Sequence, residues 1–219
     1  MTIPRSLLCV VLTASFFVSS WCDFLSEHNK LRASVHPTAA NMKKLIWSDE
    51  LAKIAQKWAD GCSLSHNSLR SQQSATFHYV GENIQWSTRA HTEEYPVDRW
   101  FAEHVNYNYA NNTCLKGHCG HYTQEVWATT EYVGCATKHC PDGHYFIVCD
   151  YGPGGNYRGE IPYTHGTPCS KCPHGYHCEN KLCTKSSASH TTHPHTTHHN
   201  THTTTTTTTT THKPHHHHG

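Results

Sequence analysis

In separate stretches of this 219-residue chain before Trp127, apolar positions recur every three or four residues, and in a stretch soon after it every second residue. Leu51, Ile54, Ala55, Trp58, Ala59 and Cys62 fall on one face of a predicted helix. Ser48 precedes it as a cap, Asp49 and Glu50 suit its positive end, and Gly61 and Cys62 close it. Residues 25–35 are helical in composition. A further helix is predicted over 95–107, with Pro96 in its first turn. Its apolar face is Val97, Trp100, Phe101, His104 and Val105, and Glu103 lies at the edge of that face. Gly120-His121-Tyr122-Thr123-Gln124-Glu125-Val126-Trp127 predicts a fourth helix. There His121 and Glu125 share a face, while Val126 and Trp127 turn toward a core.

The period then becomes two. Residues 132–137 are β-rich, and residues 145–151 alternate, with Tyr145, Ile147, Cys149 and Tyr151 on one side and Phe146, Val148 and Asp150 on the other. Gly152-Pro153-Gly154-Gly155-Asn156-Tyr157 ends that strand in a tight turn. Residues 63–80 form a polar excursion holding His66, and Gly81-Glu82-Asn83-Ile84 is a brief, turn-bounded segment. Helices followed by strands predict an α+β layered domain.

Composition adds a compartment. Arg5, an apolar run over 7–18 and Ser19-Ser20-Trp21-Cys22 have the form of a secretory signal peptide, here taken as 1–22. The run is too short for a comfortable membrane span, and no later segment is apolar enough to be one. Twelve cysteines in an exported chain imply disulfides. Cys9 lies in the leader, and cutting after Cys22 leaves an even number. A formal net charge of +1 gives no footprint for a nucleic-acid partner. Asn111-Asn112-Thr113 is an N-glycosylation sequon, which places Asn111 on a surface loop.

Cys169, Cys172, Cys178 and Cys183 crowd a stretch with no apolar core of its own, so disulfides or a zinc ion must hold it, and export favours disulfides. From 185 to 219 the chain is histidine- and threonine-rich and lacks the apolar content to fold. Such a tail is suited to O-glycosylation, to loose metal or matrix binding, or to acting as an inert spacer.

Taken alone, the 120–127 stretch reads either as a partly buried amphipathic helix or as a polar site tethered by Cys119. Together with Phe146-Ile147-Val148-Cys149-Asp150-Tyr151-Gly152-Pro153-Gly154-Gly155-Asn156-Tyr157 it resembles the two signatures of the CAP superfamily. That superfamily comprises cysteine-rich secretory proteins, antigen 5 and pathogenesis-related 1 proteins. His28-Asn29-Lys30-Leu31-Arg32, Leu45-Ile46-Trp47, Cys62 with Leu64 and His66, Gly81-Glu82-Asn83, and Trp100 with Glu103 follow in family order.

The resemblance covers residues 24–162. It implies a three-layer α–β–α sandwich with a cleft tetrad at His66, Glu82, Glu103 and His121, a set of side chains able to hold a divalent metal such as zinc. It also implies the pairs Cys62–Cys140, Cys114–Cys119 and Cys135–Cys149. Residues 166–184 resemble the hinge of cysteine-rich secretory proteins, implying Cys169–Cys178 and Cys172–Cys183. The ion-channel regulatory domain that follows in many relatives is replaced by the histidine–threonine tail.

Two residues depart from the family pattern. Glu125 stands where an apolar residue is usual, either adding a fifth acid near His121 or facing solvent. Asp150 stands for an asparagine-like residue, with a local change in hydrogen bonding expected. The function expected is that of a secreted, non-enzymatic binding module for a sterol, a lipid or an extracellular protein. Some relatives bind sterol through the loop that here runs over 84–96, with Trp86 and Tyr95 as its apolar contacts. The alternatives are a metal-dependent secreted peptidase, and a venom, defence or mucus component acting through its tail.

Overall fold

A computed structural model describes residues 20–185, with side chains from Asp23 onward. The signal-peptide and tail expectations therefore lie outside the described residues, apart from the last three residues of the leader. Within the described residues, five helices, a 3-10 turn and eight short strands follow in the order α1 (Ser20–Arg32), β1 (Ile46–Trp47), α2 (Asp49–Asp60), α3 (Arg70–Gln73), β2 (Gly81–Ser87), α4 (Glu94–Phe101), the 3-10 turn Ala102–Asn106, β3 (Tyr107–Asn108), β4 (Thr113–Cys114), α5 (Gly120–Glu125), β5 (Tyr132–His139), β6 (Tyr145–Gly152), β7 (Tyr176–Glu179) and β8 (Leu182–Lys185).

The central sheet has the order β1-β5-β6-β2. β5 and β6 are antiparallel, β2 runs antiparallel to β6 as an edge strand, and β1 lies parallel to β5. The alternation in β6 decides the layering. Ile147, Cys149 and Tyr151 are buried with Phe24 of α1 and with Val97 and Trp100 of α4. Phe146 and Val148 are buried with Ala55 and Ala59 of α2 on the opposite face. Helices therefore cover both faces of one sheet, the α–β–α sandwich expected. α2 begins as its sequence dictates, with the Ser48 hydroxyl accepting the Leu51 N–H.

Gly134 explains how closely α2 approaches β5. A Cβ there would stand 2.1 Å from the Ala52 nitrogen and 2.6 Å from the Ser48 carbonyl oxygen. All ten cysteines from Cys62 to Cys183 pair as the resemblance implies. Cys135 and Cys149 face one another directly across β5 and β6. The four-cysteine segment is thus held by disulfides rather than zinc. It also contributes to the main core, because Leu182 is buried with Val35, Met42, Tyr122 and Val126.

Three expectations change. The helix predicted over 95–107 is α4 followed by a tighter turn, and His104 and Val105 are exposed rather than buried. Gly81–Ser87 is a seven-residue strand, longer than the brief segment expected. Its neighbours in space supply what its sequence lacks: the full register with β6 runs from Gly81↔Tyr151 to Ser87↔Tyr145. The third change concerns Glu125. It is fully buried, and neither carboxylate oxygen has a hydrogen-bond partner. It faces inward because α5 turns its Tyr122, Gln124 and Glu125 toward the interior.

Candidate functional site

Each half of the tetrad is a carboxylate clasping a histidine. Glu82 lies on the edge strand, its side chain wholly enclosed. Its Oε1 accepts from His66 Nδ1 at 2.7 Å and from the Asn67 backbone N–H at 2.9 Å. Glu103, on the 3-10 turn, repeats the pattern. Its Oε1 accepts from His121 Nδ1 at 2.7 Å, and its Oε2 accepts from the His121 backbone N–H at 3.0 Å and the Tyr122 N–H at 3.3 Å. α5 has no cap of its own, since Cys119 makes no side-chain bond at the N-cap position. Glu103 supplies those acceptors from outside, which fixes both the helix start and the ring of His121.

The two dyads reach one cavity from different layers. His66 arrives on the loop that follows α2, and His121 on α5 on the far side of the sheet. They meet around the edge strand, where His66, Glu82, Asn83, His118, Gly120, His121 and Asn156 line a cavity of about 210 Å³. Glu103 stands behind His121 rather than in the wall. The side chains of His66 and His121 are 52% and 31% exposed, so both rings are reachable from solvent. With each Nδ1 turned to a glutamate, each Nε2 has no hydrogen-bond partner among the described residues. A hydrogen bond between a ring's second nitrogen and a carboxylate orients metal-ligating histidines and raises their basicity.

Electrostatics distinguish the acids. Burial pushes the Glu103 carboxyl up, but the hydrogen bond and charge of His121 and two backbone N–H groups outweigh it and hold the carboxyl below its ordinary range. Asp150 stands directly across from Glu82 on β6. Burial first, and the Glu82 charge second, push it well above the ordinary carboxylate range. Both its oxygens and Glu82 Oε2 are buried without a hydrogen-bond partner among the described residues. Glu125 is also raised, by burial first, against the opposing pull of Arg32. It lies outside the cavity wall, so it neither adds a fifth acid to the cleft nor faces solvent.

A polar line joins the cleft to the core. Asn83 Nδ2 donates to the His121 carbonyl at 3.0 Å and to the Tyr151 hydroxyl at 3.2 Å. The Tyr151 oxygen lies 2.8 Å from His28 Nε2, and His28 Nδ1 lies 2.7 Å from the Phe24 carbonyl. A neutral imidazole that donates from Nδ1 and accepts at Nε2 satisfies every member of this chain. Nearby, Arg32 donates to the carbonyls of Lys43, Glu125, Trp127 and Thr130. The last three of these carbonyls bracket the loop between α5 and β5.

Family membership follows from the sequence match. The model of the cysteine-rich secretory protein family, CAP, matches residues 25–151. The chain belongs to this family. GLIPR1-like protein 1 of Mus musculus is 42% identical over 167 residues, spanning 73% of this chain and 70% of the relative. Peptidase inhibitor 16 of Mus musculus is 41% identical over 165 residues, 71% of this chain and 32% of that protein. Among solved CAP structures, NaASP2 with Zn²⁺ is 30% identical with a TM-score of 0.62, covering 75% of this chain and 94% of that one. Na-ASP-1 is 31% identical with a TM-score of 0.63, covering 74% of this chain and 46% of that one.

The other residues that stood out in the sequence lie elsewhere. Trp86 sits in β2, its ring stacked on Phe146 at 4.6 Å, and Tyr95 of α4 stacks on His91 at 3.7 Å. Neither lines the His/Glu cavity. Asn111 is exposed in the turn joining β3 to β4. Among the described residues, the one triplet of donor atoms within 4.8 Å is Cys169, Cys172 and Cys183, and their sulfurs are committed to disulfides. Sequence reasoning missed His118, Asn83 and Asn156 as cavity residues. Asn83 and Asn156 belong to family motifs, whereas His118 stands one residue before Cys119 with no pattern to mark it.

Proposed function

We propose that the chain is exported and acts outside the cell as a binding module whose cleft takes a divalent cation through Nε2 of His66 and His121. The observation carrying this is the matched pair of His–Glu dyads opening onto one cavity. The donor set suits zinc: two neutral imidazoles as ligands, each oriented by a carboxylate, with coordination positions left for a ligand or water. Glu82 lines the cavity and keeps its buried Oε2 without a hydrogen-bond partner among the described residues, an acceptor left over beside the two imidazoles. A bound cation would supply Lewis acidity and a point of attachment for a carboxylate or carbonyl of a partner. The Zn²⁺ in NaASP2, which is 30% identical, points the same way.

What the imidazoles touch weighs against a serine- or cysteine-type peptidase, whereas a metal-dependent peptidase would draw on the same donor set. Each Nδ1 is engaged by a carboxylate, and among the described residues no hydroxyl or thiol is bonded to either ring. A sterol slot at residues 84–96 has less support, since the Trp86 ring is already stacked in the sheet. Export rests on the apolar leader and the disulfides, and no helix among the described residues is long and apolar enough to cross a membrane. The accessible turn at Asn111 is in keeping with glycosylation there.

The test is calorimetric titration of the full chain with Zn²⁺ beside His66→Ala and His121→Ala. One tight site should disappear in each variant, leaving the weaker binding of the histidine-rich tail. Retention of that site in both variants rules out the cleft as the place of binding.

A further inference from the structure

The cleft holds a third histidine that the tetrad does not include. His118 lines the same cavity as His66 and His121. It sits on the four-residue loop closed by the Cys114–Cys119 disulfide, immediately before α5. Its residue is exposed, and its ring has no hydrogen bond among the described residues; only its backbone carbonyl is held, by Asn106 Nδ2 at 3.4 Å. Three imidazoles thus border one cavity, each with at least one ring nitrogen uncommitted. His66 and His121 are pinned by glutamates, whereas His118 has a fixed backbone and a ring that rotates without breaking any bond.

We propose that His118 is the third protein ligand of the cleft, so that with His66 and His121 it forms a three-histidine site for a divalent cation of the zinc class. This inference rests on the metal reading of the cleft. The three donors do not converge to within 4.8 Å of one another in the structure. Binding therefore includes a rotation of the His118 ring over the cavity. Three neutral imidazoles with one position open is an arrangement in which zinc keeps a water or takes a partner's carboxylate. A two-histidine cleft would leave the cation more loosely held and more fully hydrated. The third ligand would also separate the cleft from the tail, whose histidines can offer imidazoles but no oriented frame.

Cobalt substitution reads the ligand set directly, because four-coordinate Co²⁺ absorbs visible light far more strongly than six-coordinate Co²⁺. The full-length chain is titrated with Co²⁺ beside His118→Gln, His121→Ala and, as a control in the hinge, His174→Gln. The wild type and His174→Gln should show the strong band. His118→Gln should lose most of it and weaken Zn²⁺ competition for the site by about tenfold or more. A His118→Gln protein with wild-type band and affinity, when His121→Ala has lost both, overturns the third ligand and leaves the two-histidine cleft standing. A band that survives His121→Ala overturns the cleft itself. His118 is exposed, so an unchanged far-ultraviolet spectrum should accompany the substitution, and a changed one would place the residue's role in folding instead.

Discussion

Glu125 is the residue whose environment contradicts its chemistry. A carboxylate with no hydrogen-bond partner in a fully buried position costs stability unless it is neutral or paired. Arg32 is the compensating charge, yet its N–H groups are spent on four backbone carbonyls. Burial pulls the Arg32 guanidinium down to about 9, against the attraction of Glu125. Burial therefore favours the neutral form of Glu125, against the pull of Arg32, and a hydrophobic replacement should fit better. Glu125→Val is expected to raise the unfolding free energy by about 1–3 kcal/mol in urea denaturation. A loss of about 3–5 kcal/mol would instead identify a charged Arg32–Glu125 pair. Glu125 already stands out along the chain, since it interrupts an apolar position, but sequence reasoning offered only solvent or the cleft as its surroundings. Burial on the inner side of a six-residue helix is decided by what α5 packs against.

At the scale of elements, the contact between α2 and β5 depends on one missing side chain. Gly134 lets the α2 backbone approach to a distance that no Cβ tolerates, and the obstructing atoms are main-chain atoms of Ser48, Leu51 and Ala52. Main chain cannot swing aside as a flexible side chain can. Gly134→Ala should thus force the helix off the sheet, with a loss of about 3 kcal/mol or more and a matching fall in melting temperature. A melting curve coincident with wild type would show that the helix shifts without cost. Both elements were legible in the sequence: the three-to-four spacing of α2 and the β-rich run of β5. Their closeness was not, because a glycine in a strand marks a bulge, a bend or a close approach equally well. The edge strand β2 was legible only in part, as Gly81 to Ile84, because a seven-residue strand acquires its length from pairing with β6 rather than from its own alternation.

Across the whole molecule, the line from His28 through Tyr151 and Asn83 to the His121 carbonyl ties the first helix to the sheet and to α5. Burial lowers the His28 imidazole from 6.5 to about 4, against the raising effect of its bond to the Phe24 carbonyl. The unfolded chain takes up a proton near pH 6.5 that the folded chain refuses until about pH 4. Stability from this group is complete above 6.5 and is lost as pH falls toward 4, by about 3 kcal/mol in all. Urea midpoints measured across that window should fall steeply for the wild type, and the fall should be shallower in His28→Gln. Equal slopes in the two proteins would show that other groups govern the acid limb.

The sequence by itself determined the helical face of α2, the alternation of β6, the motifs of a CAP domain and, through them, the disulfide partners and the four tetrad residues. Those features are local, or are written in strings long enough to carry family identity, so spacing and residue type suffice. The tertiary structure decided which groups face one another. His66 and His121 come from opposite layers and meet only around the edge strand, Glu103 acquires its role by capping a helix eighteen residues away, and His118 enters the cleft because a disulfide-closed loop ends there. Each of these depends on distances between separate elements, and no periodicity along a chain encodes such a distance.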